Sequence, residues 1–113
     1  MSTMTCDSTA VVLTDDEIAH RLAALTGWSN NGRWIEKTYR FKNFLRAMSF
    51  LNAVAYLAES VNHHPDLMIH YRELTVRNWT HIAGGITEHD FSLAARIDQL
   101  VRDHESRRES NQG

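Results

Sequence analysis

The first periodic stretch of the chain predicts an amphipathic helix that begins near Thr14. Thr14 and Glu17 have the spacing of a capping box, in which each side chain binds a free backbone amide at the helix start. We expect Gly27 to end this helix. Its apolar positions recur at helical spacing and share one face: Ile18, Leu22 and Leu25.

A β-hairpin is predicted next, because Asn30-Asn31-Gly32 is a strong turn signal. An extended piece begins at Trp28, and the return strand covers residues 34–41. Apolar and polar residues alternate along that strand, as a sheet with one buried face and one wet face requires. The buried face would carry Ile35, Tyr39 and Phe41, and the wet face Glu36, Thr38 and Arg40.

A long helix is predicted after this hairpin, and Pro65 bounds it from beyond. Its apolar residues recur at helical spacing: Phe44, Ala47, Met48, Leu51, Ala55 and Ala58. Residues 68–80 then indicate two short strands with a turn near Arg72-Glu73. Met48, Leu51 and Val54 offer more apolar surface than one small sheet can cover, which favours a homo-oligomer.

Gly84-Gly85 interrupts the pattern, and Thr87 with Asp90 forms a second capping box at the start of a third helix. That helix carries Ala94, Ile97 and Val101. The order αββαββα predicts a single α+β domain over residues 14–103, with a four-stranded antiparallel sheet and three helices packed on one face. Residues 1–13 and 104–113 are expected to be flexible.

Composition narrows the class of protein. The chain has 113 residues, 42% of them hydrophobic and 23% charged, which is ordinary for one soluble domain. No apolar run is long enough to cross a bilayer, and no targeting signal precedes Leu13, so we expect a cytoplasmic protein. A formal net charge of −2 argues against nucleic acid as a partner. Cys6 is the single cysteine, which excludes an intrachain disulfide.

The chemistry-bearing residues concentrate around two adjacent histidines, His63 and His64. Neighbouring residues cannot face the same way on a helix or a strand, and Pro65 favours an extended conformation for His64. We therefore expect a helix exit or loop here. Loops on a rigid scaffold commonly hold functional sites.

The spacing around these histidines is specific. It comprises an acidic residue, three spacers, His-His-Pro, an aromatic residue six positions on, a histidine ten further and an aspartate nine beyond. Every position is matched: Glu59, His63, His64, Pro65, Tyr71, His81 and Asp90. In this pattern, and from about Thr14 to Val101, the chain resembles the pterin-4a-carbinolamine dehydratase family.

The resemblance implies dehydration of a 4a-hydroxytetrahydropterin to the quinonoid dihydropterin, by a homodimer or homotetramer. His63 and His81 would transfer protons and His64 would hold the pterin. Glu59 would fix an imidazole or raise its basicity. Histidine suits both proton donation and acceptance near neutral pH, and no metal or organic cofactor is needed. The residues expected to bind substrate are Glu59, Pro65, Thr80, Ile82, Asp90 and Trp28.

Structural explanations compete with each assignment. Asp90 could serve only as a helix cap, Glu59 could be a solvated carboxylate, and Trp28 could pack in the core. Leu67 and Ile82 stand where the family frequently has an aromatic and an acidic residue, which affects the expected shape of the pocket. The remaining histidines have no functional pattern: His20, His70, His89 and His104.

Two alternative functions stay open. A zinc site built from the three motif histidines is disfavoured, because neighbouring histidines seldom aim at one ion. A non-catalytic binding module of the same fold, acting as a dimerisation partner or an assembly chaperone, is the stronger alternative, because fold does not fix function. Three histidines with acidic partners favour the enzyme.

Overall fold

The computed structural model describes residues 11–112, with side chains described as far as His104. Cys6 and most of the N-terminal segment expected to be flexible lie outside the described residues. The elements follow the predicted order and confirm the α+β fold: α1 (Asp15–Leu22), β1 (Ser29–Asn30), β2 (Ile35–Arg40), α2 (Phe44–Val61), β3 (Asp66–His70), β4 (Glu73–Asn78) and α3 (Glu88–Gln112).

One antiparallel sheet is formed in the order β1-β2-β4-β3. Its wet face carries matched pairs across β2 and β4, which stabilise the register. The Thr38 and Thr75 hydroxyls lie 2.8 Å apart. On either side of them, Glu36 pairs with Arg77 and Arg40 pairs with Glu73.

The hydrophobic core lies between the other face of the sheet and the helices. The predicted inward residues of β2 are buried, and residues of α2, β4 and α3 complete the cluster. Burial of these side chains provides the main stabilisation of the fold. The largest fully buried apolar side chains are Phe50, Ile35, Leu74, Leu93, Ile97, Val54 and Val76.

Some predicted boundaries were wrong. Helix α1 ends at Leu22, and Gly27 lies in the loop that follows it. Gly27 has φ of 90°, and a Cβ at this position would lie 2.9 Å from Lys37 Cε. Helix α3 continues to Gln112, beyond residue 104, where we expected the helix to have ended. Val54 is fully buried and adds nothing to the outer surface of α2.

A buried carboxylate joins α3 to the sheet. Asp98 accepts hydrogen bonds from Tyr39 Oη at 2.5 Å, Lys37 Nζ at 2.9 Å and Trp28 Nε1 at 3.1 Å. Burial raises the pKa of Tyr39, and the hydrogen bond to Asp98 raises it further. This cluster stabilises the packing of α3 on β2.

Candidate active site

Two segments of the chain meet in one open cleft of about 220 Å³. The first segment is the end of α2, and the second is the turn after β4. Together they bring three histidines into one cavity. The lining residues are Asn62, His63, His64, His81 and Ile82.

The end of α2 sets the directions of the first two histidines. Asn62 is the C-cap and adopts the left-handed conformation, with φ of 53° and ψ of 44°. The following amide, that of His63, donates to the Ala58 carbonyl at 3.1 Å. Asparagine tolerates this conformation better than most residues with a side chain. The chain therefore leaves the helix abruptly, with His63 buried and His64 exposed.

His63 is held by a buried carboxylate. Its Nε2 lies 2.6 Å from Asp90 Oδ1, and the two side chains are 2% and 0% exposed. The other carboxylate oxygen, Oδ2, accepts from Thr80 Oγ1 at 2.9 Å and from the Thr87 amide at 2.8 Å. Asp90 thus accepts hydrogen bonds at both oxygens, which is the arrangement of an ionised carboxylate.

This network fixes the tautomer of His63. Because an ionised Asp90 can only accept, Nε2 carries the hydrogen and neutral His63 has its lone pair on Nδ1. The Thr80 and Thr87 hydroxyls lie 2.7 Å apart, and Thr87 Oγ1 accepts from the His89 amide. Since Thr80 donates to Asp90, Thr87 donates to Thr80. The chain of donors ends on the carboxylate.

His64 forms a separate pair with Glu59. Its Nε2 lies 2.6 Å from Glu59 Oε2, and the side chains are 55% and 76% exposed. Glu59 therefore holds His64, whereas the proton-transfer candidates His63 and His81 lie elsewhere.

His81 is exposed at the rim of the cleft, on the turn that a Thr80–Gly85 bridge closes. Its ring lies against Trp79, with centroids 4.0 Å apart and planes at 41°. Within residues 11–104, His81 has no carboxylate partner. Ile82 is 60% exposed and adds an apolar wall to the cleft. Leu67 packs against the core.

Five of the six predicted substrate-binding residues lie outside the lining, which includes only Ile82 of that set. Glu59 and Asp90 instead pair with His64 and His63. Trp28 is 6% exposed and its indole donates to Asp98, so it lies in the core, and its predicted contact with substrate stays a prediction. Thr80 is fully buried behind Asp90, where it positions the carboxylate. Pro65 is half-buried in the segment between His64 and β3.

Sequence reasoning missed two neighbours of the site. Asn62 lines the cleft, and an asparagine just before a His-His-Pro sequence is itself a signal for a left-handed helix cap. His89, which carried no functional pattern, is half-buried with its ring centroid 6.2 Å from that of His63. Its place beside Asp90 was the available signal.

Among the described residues, no group of three or more His, Cys, Asp or Glu side chains is arranged to hold a metal ion. In the same part of the chain, no helix has the length and apolar character needed to span a membrane.

Comparison with known proteins decides the family. The family model described as "Pterin 4 alpha carbinolamine dehydratase" matches residues 11–100. The chain belongs to this family. A protein of Roseiflexus castenholzii named "Putative pterin-4-alpha-carbinolamine dehydratase" is 47% identical over 92 residues, which cover 81% of this chain and 99% of the relative. A relative of the same name from Sulfurisphaera tokodaii is 48% identical over 89 residues, covering 79% and 96%.

A solved structure of this family has the same fold. The crystal structure of "transcriptional coactivator/pterin dehydratase" from Brucella melitensis superimposes with a TM-score of 0.74 at 34% identity. The match covers 79% of this chain and 97% of that one. The αββαββα arrangement that places the three histidines is therefore the fold of a pterin dehydratase.

Proposed function

We propose that this protein catalyses the dehydration of a 4a-hydroxytetrahydropterin to the quinonoid dihydropterin. The supporting observation is that His63, His64 and His81 line one cleft, with His63 bonded to a buried carboxylate. Membership of the pterin dehydratase family supplies the substrate class. The predicted role in recycling the cofactor of aromatic amino acid hydroxylases, in the cytoplasm, belongs to the same proposal.

The reaction needs one proton acceptor and one proton donor. The lone pair of ring nitrogen N5 expels the hydroxyl group from carbon 4a, so the C4a–O bond breaks and a C4a–N5 double bond forms. N5 loses its hydrogen as a proton, and the hydroxyl leaves with another as water. Two groups at different sides of the ring can perform both transfers.

His63 fits the acceptor role. Its hydrogen on Nε2 is held by Asp90, so the lone pair is on Nδ1, the ring nitrogen without a described hydrogen bond. The Asp90 carboxylate would stabilise the positive charge that forms when Nδ1 accepts a proton, as a carboxylate does behind other catalytic imidazoles. His81, on the opposite segment, would donate the proton to the leaving hydroxyl.

His64 and Glu59 fit a substrate-binding role. Both side chains are exposed, His64 lines the cleft, and a carboxylate with an imidazole offers an acceptor and a donor to the polar edge of a pterin. His64→Ala is therefore expected to raise KM more than it lowers kcat, because such contacts form in the ground state and the transition state alike.

The proposal requires no metal, so a chelator is expected to leave turnover unchanged.

The decisive experiment is a kinetic comparison of folded variants. His63→Ala and His81→Ala should each lower kcat for freshly generated 4a-hydroxytetrahydropterin by about 10²-fold, the low end for one acid or base, because the spontaneous reaction limits the observable loss. The double variant should lose less than the product of the two. Circular dichroism checks the fold. Wild-type rates from a folded double variant would exclude acid–base catalysis by this pair.

A binding role is the second candidate. The Brucella melitensis structure carries both "transcriptional coactivator" and "pterin dehydratase" in its description. In this chain Phe44, Leu45 and Tyr56 on α2 are 50%, 73% and 80% exposed, which is a surface available to a protein partner. If the folded double variant retained wild-type rates, this role would become the better account.

A further inference from the structure

Trp79 has no role in the chemistry described above, yet it lies directly against a proposed catalytic side chain. It follows β4 and precedes the turn that carries His81. The indole and imidazole centroids are 4.0 Å apart. The His81 imidazole is exposed and makes no hydrogen bond among the described residues, so this ring contact is the main described restraint on its orientation.

The indole is held as a platform. Trp79 is half-buried, and Arg33 in the β1–β2 loop places its guanidinium carbon 5.9 Å from the ring centroid. A guanidinium over an indole face is a favourable contact. Trp79 Nε1 is buried and has no hydrogen-bond partner among the described residues. The ring therefore acts through its face and not through its N–H.

We propose that Trp79 is a positioning residue that orients the His81 imidazole toward the cleft. This inference rests on the proposed function, because it assigns His81 a proton to deliver. An exposed side chain on a turn samples several rotamers, and each nonproductive rotamer lowers the fraction of molecules ready to react. Contact with a fixed aromatic face restricts those rotamers before substrate arrives.

The absence of a partner for Nε1 supplies a matched pair of variants. Trp79→Phe keeps a smaller aromatic face and loses an N–H that has no hydrogen-bond partner among the described residues. Trp79→Leu keeps an apolar side chain and removes the aromatic face. If Trp79→Leu does not fold, Trp79→Met gives the same comparison, since its flexible side chain fills irregular space.

The first measurement is independent of activity. In proton–carbon NMR spectra, the His81 ring signals, assigned by their loss in His81→Ala, should lie upfield in the wild type because of the indole ring current. They should move toward the positions of free histidine in Trp79→Leu and stay largely displaced in Trp79→Phe. Unchanged His81 signals in folded Trp79→Leu would overturn the contact and leave the proposed function intact.

The second measurement is steady-state kinetics. Trp79→Leu should lower kcat about tenfold with little change in KM, as expected when a reacting group is misplaced, and Trp79→Phe should retain most of kcat. Suppose that the His81 signals of folded Trp79→Leu move toward those of free histidine while its kcat stays at the wild-type value. That result would show that the orientation of His81 does not affect turnover, and it would overturn the proposal. If instead His63→Ala and His81→Ala are fully active, the proposed function fails, whatever the spectra show.

Discussion

Single side chains in this site combine two tasks. Asp90 binds the His63 imidazole through Oδ1 and the Thr87 amide, at the start of α3, through Oδ2. The sequence predicted each task as an alternative to the other, since the capping-box spacing and the family motif both end on this aspartate. Spacing along the chain cannot show that one carboxylate has two oxygens pointing in different directions, and the fold decides that.

Asp90→Asn is expected to lower both kcat and stability. An asparagine presents one acceptor and one donor, so either His63 Nε2–H or the donors on the other side face an N–H group. We expect a loss of about 1–3 kcal/mol in the free energy of unfolding, because buried polar groups lose partners. The kcat should fall about ten- to hundredfold, a smaller loss than in His63→Ala, because the imidazole is still present. Urea unfolding and steady-state kinetics measure the two effects.

Thr80→Val is the matched control for that variant. It removes a donor to Oδ2 and leaves the bond between His63 and Oδ1 in place. It should therefore reduce stability by about 1 kcal/mol or more with a smaller change in kcat. Equal losses of kcat in Asp90→Asn and Thr80→Val would contradict a specific role for the contact with His63.

Elements were predictable where a repeating pattern or a turn signal defined them. The alternation in β2 and the Asn-Asn-Gly turn predicted the first hairpin, and the Thr14 and Thr87 capping boxes predicted two helix starts. Ends were harder to predict. Helix α1 ends at Leu22, so Leu25, which the apolar pattern placed in it, lies beyond its end. Helix α3 continues past residue 104, where the sequence becomes polar. Apolar periodicity does not locate these ends, because a helix ends where packing and capping stop favouring it.

The end of α2 gives a prediction at this scale. Asn62 has φ of 53°, where a residue with a Cβ is strained. Asn62→Ala should lower the free energy of unfolding by about 1 kcal/mol, and Asn62→Gly should be nearly neutral. Urea titration measures both. This residue sets the direction in which His63 leaves the helix. We therefore expect kcat to fall together with stability in Asn62→Ala and to stay near the wild-type value in Asn62→Gly. Equal stability of the two variants would contradict the strain.

The pairing of β2 with β4 predicts a pH dependence. A hydrogen bond from Trp34 Nε1 lowers the pKa of Glu36, aided by Asn31 and Arg77. A carboxylate with a lowered pKa in the folded state stabilises the protein above its unfolded-state pKa, and that stability is lost as pH falls through the folded-state value. Glu36→Gln should therefore be less stable than wild type at neutral pH, by about 1 kcal/mol because the carboxylate is partly exposed.

The difference should disappear in acid. Thermal unfolding of Glu36→Gln and wild type at a series of pH values should give curves that converge as pH falls through the lowered pKa of Glu36, because the wild-type carboxylate also becomes neutral there. Trp34→Phe removes the principal donor and should weaken the same pH dependence. A constant gap at all pH values would assign the effect to packing.

At the scale of the whole molecule, the exposed apolar side chains of α2 lead us to expect self-association. Of the three residues on which the sequence bases this prediction, Val54 is buried. Exposed apolar side chains do occur on the helix, and Leu45 and Tyr56 lie about three turns apart on one side of it. Periodicity identified the helix as apolar, but it could not show which of two apolar stripes the sheet would cover.

We expect a homo-oligomer in solution at tens of micromolar. Leu45→Glu and Tyr56→Asp should shift the population toward monomer, because charge at an apolar contact opposes association. Light scattering coupled to gel filtration measures the mass. Ala19→Glu, an exposed position on α1, is the control and should leave the mass unchanged. A monomeric wild type at this concentration would contradict the prediction.

The dual attachment of Asp90 has a consequence for how relatives of this protein diverge. A lineage that no longer needs the reaction still needs α3 to begin at the same place, so selection for a folded protein keeps this aspartate. Glu59, His64 and His81 are exposed, so their loss costs little stability and they can drift freely once turnover stops mattering. Descendants without activity should therefore be recognised by losses at these three positions, while Asp90 persists as a trace of the ancestral enzyme.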